Sequence, residues 1–125
     1  MSCPSAGLFG EASHLLQEHE QDQLATTNHV LGETWTFIRH RASHADGVRF
    51  LGQAAASPRL SIVHVSPDLE EVALAWLRRH DERRYSFVDA TSFALMRSMK
   101  IKDALAFDGD FSAAGFRELR ARPWQ

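Results

Sequence analysis

Four carboxylates are the first candidates for chemistry in this chain: Glu33, Asp89, Asp108 and Asp110. Asp89 stands in an apolar and small-residue run within Tyr85–Phe111, YSFVDATSFALMRSMKIKDALAFDGDF, and Asp108 and Asp110 follow directly after ALAF. Acids drawn from separate elements can converge on one crevice and hold a hard divalent cation through oxygen ligands; Mg²⁺ (or Mn²⁺) accepts a few carboxylates and retains waters. Such an ion neutralises charge on a phosphodiester and lowers the pKa of a water, so the chemistry would be phosphoryl-transfer hydrolysis without a protein nucleophile. Spacing along the chain does not by itself establish convergence.

Each acid also has an ordinary structural explanation. Ser86 with Asp89 three residues on is close to a capping box, and an acid in the first turn of a helix suits the dipole. Asp108-Gly109-Asp110 is turn chemistry. Glu33 lies mid-helix near Val30 and Phe37, and exposed helical glutamates are the commonest kind. Thr91 and Ser92 follow Asp89. A hydroxyl there either bonds a carboxylate or a water, or bonds back to the preceding turn.

The elements that must carry these residues alternate between strand and helix. Gln23–Thr26 is strand-like, and Thr27-Asn28 are good caps for a helix His29–Arg41 that buries Val30, Leu31, Thr34, Trp35 and Ile38. Ala45–Ala56 reads as a helix with Val48 and Leu51-Gly52 inward, stopped by Ser57-Pro58. Leu60–Val65 is a β-branched strand. Ser66 caps a helix reaching about His80, with Pro67 first and Asp68, Glu70 and Glu71 in its first turn. A helix Phe87–Met99, a strand Ala104–Phe107 and a last strand Phe116–Leu119 follow; upstream, Ala12–Glu20 is a short polar helix. Strand–helix alternation of this kind predicts an α/β domain with a mainly parallel sheet, whose sites form where loops leave the carboxyl ends of strands.

Composition adds few constraints. With 125 residues, 44% hydrophobic and 24% charged, the chain is expected to form one soluble domain over 1–125. No run is long enough for a membrane span and the start has no signal-peptide pattern, so a cytoplasmic protein with no membrane partner is expected. The lone Cys3 cannot form an internal disulfide, and a net charge of −2 leaves anion binding to local basic patches. Arg83 and Arg84, with Arg78 and Arg79, form such a patch just before Asp89 and are candidate contacts for phosphate groups, although cations also suit a helix end. Arg117, Arg120 and Arg122 make a second basic strip that also reads as a charged tail.

The stretch SFVDATSFALMRSMKIKDALAFDGDFSAAGFREL resembles the carboxyl half of PIN domains, in particular VapC-type toxin ribonucleases, in which an Asp opens a helix and is followed by a Ser. There a later strand ends in an Asp near an Asp-Phe or His-Phe pair. LATTNHVLGETWTFIRHR is similar to that family's earlier strand and Glu-bearing helix, so the resemblance runs over residues 22–119 in the family's order. It implies a PIN-like three-layer domain, a central mainly parallel sheet flanked by helices, acting as an Mg²⁺- or Mn²⁺-dependent endoribonuclease on RNA. A cognate antitoxin and a homodimer are its implied partners. Residue by residue, Glu33 matches the helix glutamate, Asp89 the central aspartate and Asp108 the strand-end aspartate. Asp110 is an additional or alternative ligand, and Ser92 a supporting hydroxyl. The resemblance also implies that the phosphates met by Arg83 and Arg84 are those of RNA.

The opening MSCPSAGLFGEASHLL departs from that family, which begins with an apolar strand ending in a further aspartate. The expectation is therefore an N-terminally incomplete domain with the N-terminal strand missing, impaired activity in this 125-residue form, and low stability or association. The rival reading is a catalytically inactive PIN-like module that binds RNA or a protein partner.

Overall fold

The computed structural model of the chain describes residues 23–105 and 109–119, which belong to two compact units, one ending at Val65 and the other described from Ser66 onward. The expected parallel sheet is represented among these residues by two parallel strand pairs, one in each unit. No helix among them is long and apolar enough to cross a membrane.

In the first unit β1 (Leu24–Thr27) leads into α1 (Asn28–Arg41), α2 (His44–Ala56) and β2 (Leu60–Val63). The strands pair in parallel with Leu24 opposite Leu60 and Thr27 opposite Val63, and the two helices form the crossover a parallel pair needs. Thr27 ends the strand and starts the helix: its Oγ1 accepts the Val30 N–H at 3.0 Å. Asn28 Oδ1 accepts the Val65 N–H at 2.9 Å, tying the segment beyond β2 to the start of α1.

The inward face of α2 is not the expected one. Val48 and Leu51 are 50% and 38% exposed and Gly52 is exposed, whereas Gly47 and Ala54 are the buried residues. A Cβ on Gly47 would lie 2.5 Å from Trp35 Cζ3, so the Trp35 ring occupies the space that the missing side chain leaves. Apolarity pointed to the bulky residues, but the close approach of a large ring selects the small ones.

In the second unit α3 (Pro67–Arg79) is capped by Ser66, whose Oγ accepts the Leu69 N–H at 3.2 Å. It packs against α4 (Phe87–Ser98), and Ala73, Trp76, Ala90, Phe93, Ala94, Met96 and, from beyond α4, Phe111 make the core. All of Asp89–Met96 is buried, so α4 is enclosed on every side for two turns. It ends in a Schellman motif: the Ile101 N–H donates to the Met96 carbonyl (2.8 Å), the Lys100 N–H donates to the Arg97 carbonyl (3.2 Å), and Lys100 takes the left-handed conformation at φ 58°.

β3 (Asp103–Ala104) then pairs in parallel with β4 (Arg117–Glu118). β4 is shorter than the expected Phe116–Leu119, and β3 meets the expected Ala104–Phe107 at Ala104; residues 106–108 lie outside the described part, as does the expected helix Ala12–Glu20. The unexpected element is α5 (Asp110–Ala113), a single turn that begins after Gly109 at φ 84° and ends at Gly115 at φ 103°. Gly109-Asp110 is thus the lead-in to a helix.

Candidate active site

The capping reading of Asp89 is met in full. The Ser86 Oγ accepts the Asp89 N–H at 2.9 Å while Asp89 Oδ2 accepts the Ser86 N–H at 3.1 Å, a complete capping box. Yet the residue is 1% exposed, far less than a cap requires. Burial pushes the Asp89 carboxyl above the usual carboxylate range; the Ser86 backbone N–H opposes this, and the neighbouring charge of Asp110 adds to it. A carboxylate kept in a dry place beside a second carboxylate is costly for structure alone and is common where a cation is held.

Asp110 comes to this place as the first residue of α5. Its neighbour Phe111, 4% exposed, meets Phe93 edge to face with centroids 4.8 Å apart, and Phe93 lies one turn beyond Asp89 on α4. Arg83, from the connection between α3 and α4, donates from Nε to Asp110 Oδ1 at 2.7 Å. The pair is partly buried on the acid side, at 14% side-chain exposure against 41% for the arginine. Arg83 thus reaches Asp110 from an exposed position, and Arg84 beside it is exposed too.

The two hydroxyls after Asp89 divide cleanly. Thr91 bonds back to the Val88 carbonyl at 2.8 Å. Ser92, 7% exposed and one turn from Asp89, has its Oγ buried with no hydrogen-bond partner among the described residues. A buried hydroxyl without a partner is unfavourable by about 1–3 kcal/mol unless something completes it.

Of the expected acids, Asp89 and Asp110 lie in one unit and interact. Glu33 is half-buried on α1 in the other unit, and Asp108 lies outside the described residues. Among the described residues no three His, Cys, Asp or Glu side chains cluster as a metal site. The oxygen atoms of Asp89, Asp110 and Ser92 nevertheless have the hard-donor character that Mg²⁺ or Mn²⁺ requires, and the uncompleted Ser92 hydroxyl is an observation that fits such an ion with its waters.

Sequence reasoning missed Glu118. Its carboxylate accepts the Gly109 N–H at 3.3 Å and the Ser112 N–H at 2.9 Å, on either side of Asp110. No local pattern announces this, because the partners are a strand and a helix start that only the fold brings together. Arg117 beside it faces elsewhere, in a two-pronged pair with Asp103 at 2.9 and 2.7 Å.

Comparison with known proteins matches residues 5–117 to the PIN domain family. The 23S rRNA-specific endonuclease VapC20 of Mycobacterium tuberculosis is 62% identical, over 91% of this chain and 89% of its own length. A VapC ribonuclease of Archaeoglobus fulgidus is 31% identical over 76% of this chain and 60% of its own length. The crystal structure of M. tuberculosis VapC20, described as a sarcin-ricin loop cleaving toxin, superposes with a TM-score of 0.83 at 50% identity, covering 95% of this chain and 89% of that one.

Proposed function

Since the chain belongs to the PIN-domain family and to its VapC-type ribonucleases, we propose that it is a divalent-metal-dependent endoribonuclease whose substrate is large-subunit ribosomal RNA. The 62% identity to a 23S rRNA-specific endonuclease supports that substrate, and the likeness to the crystal structure of a sarcin-ricin loop cleaving toxin supports that loop as the proposed target. The observation that carries the reading is the buried Asp89 under the influence of the Asp110 charge, on two elements joined by the Phe93–Phe111 contact, with the uncompleted Ser92 hydroxyl one turn along α4.

Glu33, Asp89 and Asp108 are the residues proposed to hold Mg²⁺ or Mn²⁺, with Asp110 as an additional ligand. The ion, when bound, supplies charge neutralisation at the phosphodiester and a more acidic water. Asp89 is suited to this because a cation would return its raised carboxyl to the ionised form. The buried Ser92 hydroxyl would donate to a water that the ion brings with it. Arg83 holds Asp110 and, with the exposed Arg84, presents guanidinium groups where an RNA phosphate would arrive.

The VapC20 relative is described as a toxin, and we extend to this chain a cytoplasmic toxin–antitoxin setting with a cognate antitoxin and a homodimer as partners. Exposed Val72 and Leu74 on α3 supply apolar surface for such contacts.

Purified protein incubated with 23S rRNA should make a discrete cut in Mg²⁺ or Mn²⁺ and none in EDTA, with primer extension locating the break. Cutting that is indifferent to EDTA would overturn the metal assignment. RNA binding without any cut would favour the inactive-module reading.

A further inference from the structure

We infer that Glu118 is a positioning residue for the acid site, acting through the backbone on both sides of Asp110; this rests on the proposed cation-holding role of Asp89 and Asp110. α5 is a single turn whose own N-terminus has no side-chain cap, so the first N–H groups of this helix need acceptors from elsewhere. Glu118 supplies them from β4, with Oε1 toward the Gly109 N–H and Oε2 toward the Ser112 N–H. Each carboxylate oxygen is directed at a backbone donor, which is the geometry of a clamp.

The clamp is itself held. Glu118 pairs with Ala104 in the parallel ladder, and the Leu119 N–H donates to the Ala104 carbonyl at 2.8 Å. Asp110 is thereby fixed by its flanking amides through Glu118, by its carboxylate through Arg83, and from behind by the buried Phe111. Gly109 completes the arrangement. Its φ of 84° suits glycine, and a Cβ there would lie 3.4 Å from Arg83 Nη2. Adding a third carboxylate near two acids would repel them if its charge were unused; charge-assisted bonds to two N–H groups absorb it.

The test is Mn²⁺ binding by titration calorimetry on the full chain, with Glu118→Ala, Glu118→Gln and Asp89→Asn, alongside kcat and KM for RNA cleavage. E118A should weaken Mn²⁺ by about 10-fold or more, the usual consequence of losing a group that orients a metal ligand. E118Q retains an acceptor oxygen for the Ser112 N–H and should recover most of that loss. In E118A kcat should fall and be restored in part by added Mn²⁺, while KM for RNA stays near wild type; a merely less stable protein would not show that split. Wild-type Mn²⁺ affinity in E118A overturns the inference, and so does a loss in E118Q as large as in D89N, which would make Glu118 act by charge or direct ligation. If E118A does not fold, E118Q decides alone on the same criterion. D89N separates the two levels: if it also binds Mn²⁺ normally, the acid-site reading falls, whereas a loss confined to D89N removes only the role of Glu118.

Discussion

Phe93 and Phe111 meet edge to face with ring centroids 4.8 Å apart, and the two acids of the site sit on the same two elements, Asp89 one turn before Phe93 and Asp110 immediately before Phe111. The aromatic contact thus joins the two elements that carry the carboxylates. Phe111→Leu should keep the fold at a cost of about 1–2 kcal/mol, because an apolar side chain of similar size remains. RNA cleavage should nevertheless fall by about 10-fold to 100-fold, since small displacements of a catalytic group are expensive. Melting curves and initial rates on the same samples check both halves.

The pH dependence of stability follows from Asp89. Its carboxyl is raised in the folded chain, chiefly by burial, so the folded state holds that proton more tightly than the unfolded state does. Its contribution to stability is fully present below the unfolded pKa and is lost as pH rises through the folded one. In EDTA, Asp89→Asn should accordingly be at least as stable as wild type at neutral pH, and the wild-type advantage on acidification should shrink in the variant. Urea unfolding across the acid range measures this; a variant much less stable at neutral pH would contradict it.

Much of this frame was legible from neighbouring residues. Ser66 before Pro67 and Ser86 before Asp89 act within three residues, so their caps are visible in the chain itself. Glu118 reaching Gly109, and Arg83 reaching Asp110 across 27 positions, are not visible, because a charged side chain looks the same whether it faces solvent or an amide. The single turn α5 is too short to show a helical period. Val48 and Leu51 misled for a different reason: hydrophobicity marks a side of α2, but the Trp35 ring fits only against Gly47.

Gly47→Ala tests that last point. A Cβ 2.5 Å from Trp35 Cζ3 forces the ring or the helix to move, and the expected loss is about 1–3 kcal/mol. Val48→Ser, on the exposed side, should change stability by no more than about 0.5 kcal/mol. Denaturant melts that show the reverse order would restore the bulky residues as the inward face.

Lys100→Gly should stabilise. The C-terminal motif of α4 holds Lys100 at φ 58°, a region that costs a residue with a Cβ about 1–2 kcal/mol and glycine little. Glycine's greater freedom in the unfolded chain takes back part of this, leaving a gain of up to about 1 kcal/mol. An unchanged or lower melting temperature would show that the exposed lysine makes a compensating contact.

The central claim is that buried Asp89 holds a divalent cation for RNA cleavage, and the most direct measurement is the Mn²⁺ dependence of rRNA cutting by wild type and Asp89→Asn. Wild type should cut in Mn²⁺ and stop in EDTA, and the variant should lose at least about 100-fold in rate while remaining folded, as expected when a cation loses a direct carboxylate ligand. Equal rates for the two proteins at every Mn²⁺ concentration would contradict the account.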